Sequence, residues 1–564
     1  MSGFNLPPTS WAPVTTRRLR APQVLWTSGE ETTAGFDAGQ VYCCPQDYES
    51  PEAYTDETRQ EWADRYGGIG VATAGGSGRC SGVNGLQTKG VGVTPLVSPC
   101  GDRFHSSGTL MLVEAATEAV FAGAYQAALP YGAVPVHAVI FTGGSFKREL
   151  DHDSQAQCLR ALAVRPWVAR PAHFMRNLLH PAGRLPAGPA APGWTVDALR
   201  TRLAQASLAG HLRHLLSLDV LAEDEIALLD QGFRELARRH AWQCAASFAK
   251  RLPHGTLGCS NIALDGAFLD FGIANHVPAY RRLCWAMNQE PWTEAQFPLS
   301  TLASLRQQLD KYRPGVRGAA IVGVEEMAAL YGQALQARLG IEMARMAGLT
   351  EDMALACPPE LLARWLKVMQ AIWMRGAGER FSQNPGSING RPAPAPRQGR
   401  YDLNAVLAAA GPHGKPEAMD AALRPWLDDT ALRQHFVLAA TAVRAWLQSW
   451  VGSPSSGLDA YLGRQAARKN ATMPLLQRDA NCSLSAIRQL EMDGDVARVG
   501  GAIEAALLQA RQTLSDLCPA LPGETGRAQV QALCRHGPSP LVEVVPALAI
   551  APNSALGTDE RLVC

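Results

Sequence analysis

Between Tyr66 and Gly101 a glycine recurs every few residues with valine and threonine between, in YGGIGVATAGGSGRCSGVNGLQTKGVGVTPLVSPCG. Glycine weakens a helix and supplies the positive φ that tight turns need, while valine and threonine suit a pleated strand. The stretch cannot be a stable helix and predicts short strands joined by tight turns. The period then changes. From Ser106 to Leu129 apolar residues recur at helical spacing, and Val134–Phe141 (VPVHAVIF) predicts a strand. Beyond residue 280 leucine, alanine and arginine recur three and four apart through 300–376 and 417–450, which predicts helices. Strands and turns first, helices later, make this an α+β chain.

The remaining segments are read in the same way. The end of the acidic run DYESPEAYTDETRQEW predicts a helix start. PAGRLPAGPAAPGW (181–194) is a connector followed by amphipathic stretches at about 196–218 and 222–250, and NPGSINGRPAPAPRQGR (384–400) is a second breaker. LVEVVPALAI (541–550) predicts a terminal strand, and no internal repeat is evident. These breaks predict three regions, 1–180, 195–380 and 400–564.

Composition excludes several classes. With 564 residues, 47% hydrophobic and 18% charged, the chain has ample core-forming material and is not dominated by disorder. Its 52 Lys plus Arg against 51 Asp plus Glu give a formal charge of +1, too little for general nucleic-acid binding by counterion release. The N-terminal MSGFNLPPTSWAPVTTRRLR has no apolar core of signal-peptide type, and the apolar runs 132–143 and 541–551 fall short of the roughly 20 residues of a membrane span. Thirteen cysteines, an odd number without a CxxC pair, suit a reducing compartment. The expectation is a cytoplasmic protein with no nucleic-acid and no membrane partner. The vicinal Cys43-Cys44 reads as two buried thiols, the alternative being a soft-metal or oxidant site.

Chemistry concentrates in HGTLGCSNIALDGAFLDFG, residues 254–272. Asp265-Gly266 between alternating apolar residues predicts a two-residue hairpin turn whose register sets Asn261 opposite Asp270. An amide oxygen and a carboxylate so placed can share a Mg²⁺ that keeps its other positions for water and phosphate; an ordinary solvent-facing hairpin is the alternative. In GGSGR (75–79) glycines allow a phosphate to approach the backbone, with Arg79 and Lys89 supplying charge; turns of a plain β-meander are the alternative. Glu114 and Glu118 share one face of an apolar helical stretch, where one of them could hold Lys89. Arg165, Arg170, His173 and Arg176 form a basic cluster, open to a polyphosphate grip or a solvated face.

Other candidates carry less. His211 and His214 read as helix histidines rather than metal ligands, since no third ligand is near. Asp151-His152-Asp153 has no spacing that can be interpreted, and Trp365 and Trp373 read as packing residues. Cys259, as a nucleophile, lacks a placed base.

Together these segments resemble the selenoprotein O family, kinase-fold proteins that transfer AMP from ATP onto protein hydroxyls. The likeness runs through YGGIG (66–70), GSGR (76–79), TKGVGVTP (88–95), CGDR (100–103) and SS (106–107), then Trp242-Gln243, HGTLGCSN and LDFG, with nine residues from Asn261 to Asp270. It covers about residues 60–280. It implies a protein-kinase-like two-lobed fold with an extended, mostly α-helical C-terminal region: a β-rich nucleotide-binding lobe within 1–180, an α-rich lobe with the catalytic and metal-binding loop at 195–380, and a helical extension at 400–564. ATP and Mg²⁺ are the implied cofactors. By position Lys89 contacts phosphate and pairs with Glu114, and Asn261 and Asp270 hold the metal. Gly76, Gly78, Arg79, Gly101 and Asp102 line the nucleotide site, while Arg170 and Arg176, six apart instead of the family's seven, grip phosphate.

One departure has chemical consequences. Where the family has an aspartate immediately before the metal-binding asparagine, proposed as the base for the acceptor hydroxyl, this chain has Ser260. A serine cannot take that proton at pH 7. Either the chain is an inactive nucleotide-binding scaffold, or another group is the base, or the acceptor needs none. A protein or peptide carboxylate is already ionised and would give an acyl-adenylate. Phosphoryl transfer from the γ position is the further alternative.

Overall fold

The computed structural model describes residues 6–29, 40–46, 49–68, 75–97, 107–149, 155–177, 194–221, 223–272, 274, 283–284, 293–374, 380–381, 414–425, 427–452, 455–470 and 485–515. Eight strands form one antiparallel sheet: β1 (Trp11–Leu19), β2 (Gln23–Thr27), β3 (Tyr42–Cys43), β4 (Tyr54–Asp64), β5 (Cys80–Val83), β6 (Leu86–Lys89), β7 (Ala138–Glu149) and β8 (Gln155–Pro166). They are ordered β2-β7-β8-β6-β5-β4-β1-β3. The β5–β6 hairpin closes on Asn84-Gly85, both at positive φ (52° and 82°), the pairing that a two-residue turn between right-twisted strands selects. That turn sets the register of Lys89, opposite Cys80 on one side and Ala163 of β8 on the other.

The first helix, α1 (Leu112–Ala128), follows the glycine-rich strands and packs on β7 and β8. Its sequence, LVEAATEAVFAGAYQAA, is apolar nearly all round, so one sheet face cannot satisfy it. The helical half begins with α2 (Trp194–Leu216) and α3 (Glu225–Ala249), followed by α4 (Gln296–Tyr312), α5 (Val324–Met346), α6 (Glu351–Ala356) and α7 (Pro359–Met374). Then come α8 (Pro416–Leu423), α9 (Thr430–Val451), α10 (Ser455–Lys469), α11 (Ser485–Met492) and α12 (Val499–Ser515). Helix α3 packs along α5, with α2 and α4 on its flanks; α9 packs on α7, and α10 on α5. Helix α12, from the third region predicted by the breakers, packs on α1 and β2 of the first. No described helix is long and apolar enough to cross a membrane.

Three local expectations are corrected. The acidic run is not a helix start: its end is strand β4, because it faces the basic strand β1, with Arg18–Glu57 at 2.9 Å and Arg17–Asp56 at 3.4 Å across the pair. Of the strand predicted at Val134–Phe141, only Ala138 onward joins the sheet. Val134 instead receives its backbone bond from the 254–272 loop, its N–H donating to Phe268 O at 2.8 Å. The hairpin at Asp265-Gly266 has a three-residue tip instead of a two-residue one: Ala263 N–H donates to Ala267 O (2.8 Å) and Ile262 bridges Phe268. Asn261 is therefore opposite Leu269 (Leu269 N to Asn261 O, 3.2 Å), and Asp270, the predicted partner, lies one residue beyond that pair. Neighbours widen the tip: buried Leu264 donates its N–H to Ala169 O (2.9 Å), and Arg239 of α3 donates to Asp265 O (3.3 Å). The breakers at 181–193 and 384–400 and the run 541–550 lie outside the described residues.

Candidate functional site

Lys89 ends β6 and is buried, so its ammonium must find anionic partners. It donates to Glu118 of α1 and to Asp270 of the hairpin loop. Glu118 also lies 3.7 Å from Arg165, at the end of β8. The pairing expected between Lys89 and Glu114 is thus corrected. Glu114, one turn earlier, accepts the N–H of Met111 (3.2 Å) and closes the start of α1, with Arg79 at 4.0 Å. Glu118, one turn deeper, is the residue level with Lys89. Arg79 donates to Thr109 O at 3.0 Å, tying the end of the glycine-rich turn to the approach of α1.

Lys89 and Glu118 are each 2% exposed, whereas Asp270 is 34% exposed and forms the open edge of the group. Burial pushes the Asp270 carboxyl up, but Lys89, then Arg165 and Arg79, outweigh it and hold the acid well below the usual carboxylate range. Burial dominates at Glu118 and raises it, opposed by Lys89. Asp270 has φ +69°, a left-handed conformation that a non-glycine residue adopts only when its surroundings impose it.

The loop behind Asp270 is built around His254. Its Nε2 donates to Leu269 O at 2.8 Å and its Nδ1 faces the Thr256 N–H at 3.4 Å; burial lowers its pKa to about 4, so the ring is neutral. The backbone N–H groups of Gly255 (2.5 Å) and His254 (3.2 Å) donate to the Glu294 carboxyl, which burial raises to about 7. Asn261 donates from Nδ2 to Thr256 O at 2.9 Å, and its Oδ1 accepts from Ser260 Oγ at 3.3 Å.

The basic cluster is buried, so the solvated-face alternative is excluded. Arg165 and Arg170 both donate to Gln87 Oε1, at 3.0 and 3.2 Å; Arg170 also donates to Ser260 O (3.2 Å) and stands 5.3 Å from the Tyr66 ring. His173 donates from Nε2 to Asp64 (3.0 Å) while Nδ1 accepts the Arg170 N–H (2.9 Å). Arg176 is tied to α4: its guanidinium donates to Tyr312 Oη (3.1 Å) and its backbone N–H to Gln308 Oε1 (2.6 Å).

Gly76 and Gly78 have a packing reason. A Cβ on Gly76, at φ +138°, would stand 2.4 Å from Asp64 O, and one on Gly78 would stand 3.0 Å from Val97 Cα. The space their missing side chains leave is filled by protein. Gly101 and Asp102 lie outside the described residues, as does Asp151-His152-Asp153. Cys259 is buried, and burial pushes its thiol up to about 12, which disfavours the reactive thiolate. Cys43 and Cys44 are likewise buried and raised to about 12. His211 packs edge-on against Phe174 at 5.2 Å, and no group of three or more His, Cys, Asp or Glu suited to a metal occurs among the described residues.

Sequence reasoning missed Arg165 as a partner of Glu118, the Asp64–His173 pair and Glu294. A buried basic cluster demands acids, which signals the first two in principle; Glu294 carries no local signal beyond an acid ahead of a helix. Asp270 offers a carboxylate and Asn261, opposite Leu269 in the same hairpin, an amide oxygen; such hard oxygens fit Mg²⁺ better than a soft metal. Comparison of the chain with protein-family models and with curated proteins returned no match.

Proposed function

We propose that this chain is a Mg²⁺- and ATP-dependent nucleotidyltransferase of a protein-kinase-like fold, similar to the selenoprotein O family, that moves AMP to a carboxylate of a protein or peptide in the cytoplasm. The observation that carries this reading is the buried Lys89 held between a helix carboxylate, Glu118, and the half-buried loop carboxylate, Asp270, with Asn261 just across the hairpin. A lysine on a strand paired with a glutamate on the following helix, beside an aspartate ahead of Phe-Gly, is the arrangement kinases use to hold a triphosphate. The sheet order and the helix between β6 and β7 support the same comparison.

Asn261 and Asp270 would hold the ion, which when bound neutralises phosphate charge. With Asp270 so engaged, the Lys89 ammonium would be free to meet phosphate oxygens. Arg79 and Arg165, whose charges act on Asp270, keep that carboxyl ionised and ready as a ligand. The acceptor carboxylate oxygen attacks the α-phosphorus and the bond to the β-phosphate oxygen breaks, releasing pyrophosphate. No proton moves, so Ser260 costs this acceptor nothing. No described carboxylate takes the place of a base beside Ser260: its Oγ meets the Asn261 amide and its carbonyl meets Arg170. That same observation favours one second reading, a nucleotide-binding scaffold without turnover.

Incubation with α- or γ-labelled ATP and candidate peptides, with and without hydroxylamine, separates the readings. α-Label on the peptide that hydroxylamine releases as AMP, leaving a peptide hydroxamate, and that falls on the order of 100-fold or more in Asp270→Ala, is the expected result. α-Label that resists hydroxylamine and maps to Ser, Thr or Tyr overturns the carboxylate acceptor, γ-label overturns AMP transfer, and nucleotide binding without any transfer leaves the scaffold.

A further inference from the structure

The outer side of α1 is covered by the far end of the chain. Helix α12 lies along it, with Val499, Ile503, Ala506, Leu507 and Ala510 buried. Leu507 sits over Gly123 so closely that a Cβ there would be 2.3 Å from its Cδ2. At the start of α12, Gly500 presses on β2: a Cβ would stand 1.9 Å from Leu25 O, a backbone atom that cannot step aside. Two acids pin the arrangement to the sheet. Trp26 Nε1 donates to Glu504 (2.9 Å), and the backbone N–H of Leu159 in β8 donates to Glu491 of α11 (3.1 Å).

The inner face and the C-terminal end of α1 are tied elsewhere. Tyr125 Oη donates to Pro253 O at 2.9 Å, its ring meets Phe271 at 5.0 Å, and Lys250 donates to Ala128 O. Those contacts all lie in the last turn. Glu118, in the middle of the helix, lies between those ties and the ones at its start, where Ala161 N–H donates to Leu110 O (2.9 Å) and Arg79 to Thr109 O (3.0 Å), and α12 is the layer over that middle. A helix so rich in alanine, whose side chains are small and interlock little, slides at modest cost unless a second layer traps it.

We infer that Gly500, Glu504 and Leu507 of α12 are positioning residues for the candidate site: they press α1 onto the sheet and so keep Glu118 against Lys89. None of them touches Lys89, Glu118 or Asp270 in any described bond. Losing α12 leaves an apolar helix half bare, which then shifts outward and takes Glu118 with it. Lys89 is left with Asp270 alone and becomes accessible. Only the nucleotide part of this inference rests on the transfer reading; the Lys89 part does not.

The test is amine-reactive labelling of Lys89 in the full chain, quantified by mass spectrometry against the exposed Lys367, together with Mg-ATP affinity. In the wild type Lys89 should be protected at least tenfold relative to Lys367. Gly500→Val should raise Lys89 labelling at least tenfold and weaken Mg-ATP binding by a similar factor, at a temperature where circular dichroism and the unfolding transition report a folded chain. If Gly500→Val does not fold, Leu507→Ala decides, with an expected three- to tenfold rise in labelling. Unchanged Lys89 protection in a folded variant overturns the inference whatever the nucleotide does. A wild type that protects Lys89 but binds no Mg-ATP overturns the proposed function and leaves this inference standing on the labelling alone.

Discussion

Two buried charge groups in this molecule use the same parts to different ends. At the candidate site Lys89, Arg165 and Arg79 face Glu118, Asp270 and Glu114, and one acid, Asp270, is 34% exposed. In the helical half Lys250, Arg338 and Arg345 surround Glu342, and none of the four is more than 7% exposed. There burial lowers Lys250 to about 8, and Glu342 is held far below its ordinary range because the cations outweigh its own desolvation. The closed group ties α3, α5 and the end of α1 together; its lysine is buried against Glu342 and Ala128 O, and Arg338 reaches outward to the part-exposed Glu351 at 3.3 Å. The open group has an acid at its rim and a lysine with two acids to choose between. A buried ion pair by itself therefore says little about function; a buried lysine with an exchangeable partner at the rim is what distinguishes the candidate site.

The comparison can be broken at either end. The largest expected effect is in the closed group: Glu342→Gln leaves three cations buried without their shared acid and should cost about 3–5 kcal/mol in denaturant unfolding, with little direct effect on the chemistry. A loss below about 1 kcal/mol would mean the group is not closed. Next, Glu118→Gln should cost about 1–3 kcal/mol and impair nucleotide binding, whereas Glu114→Gln, partly exposed with Arg79 at 4.0 Å, should cost under about 1 kcal/mol. The reverse ranking would restore Glu114 as the partner of Lys89.

The smallest effect is a slope. Glu294 carries a folded pKa of about 7, above its unfolded value, so between roughly pH 4.5 and 7 the folded chain holds a proton that the unfolded chain has lost. Its contribution is fully present below about pH 4.5 and falls away as the pH rises through 7, by at most about 1.4 kcal/mol per pH unit. Glu294→Gln should remove that part of the pH dependence; an unchanged slope in thermal unfolding across this window would place the titration elsewhere.

Much of the site was legible in the order of residue types. Glycines among valines and threonines give short strands and tight turns around Lys89, and an apolar helix with glutamates follows them; that Asn84-Gly85 is the turn beside Lys89 came from the structure. The choice between Glu114 and Glu118 was not legible, because both share a helix face and only the depth of α1 on the sheet separates them. The hairpin around Asp265 showed its existence but not its register, since Ala169 and Arg239, distant in sequence, pull the tip open. The acidic segment read as a helix start became β4 because its partner, the basic β1, lies about forty residues earlier, beyond the reach of local pattern.

What the sequence alone determined is the local grammar: glycine-rich strands, helices, the tight turns around Lys89, and the short distance along the chain from Asn261 to Asp270. Those follow from backbone sterics and side-chain periodicity, which act over a few residues. Which acids meet Lys89, which arginines are buried with it, and which distant helix holds α1 down were decided only by tertiary structure. Charges and apolar faces choose partners by burial and distance, and neither exists until the chain has folded.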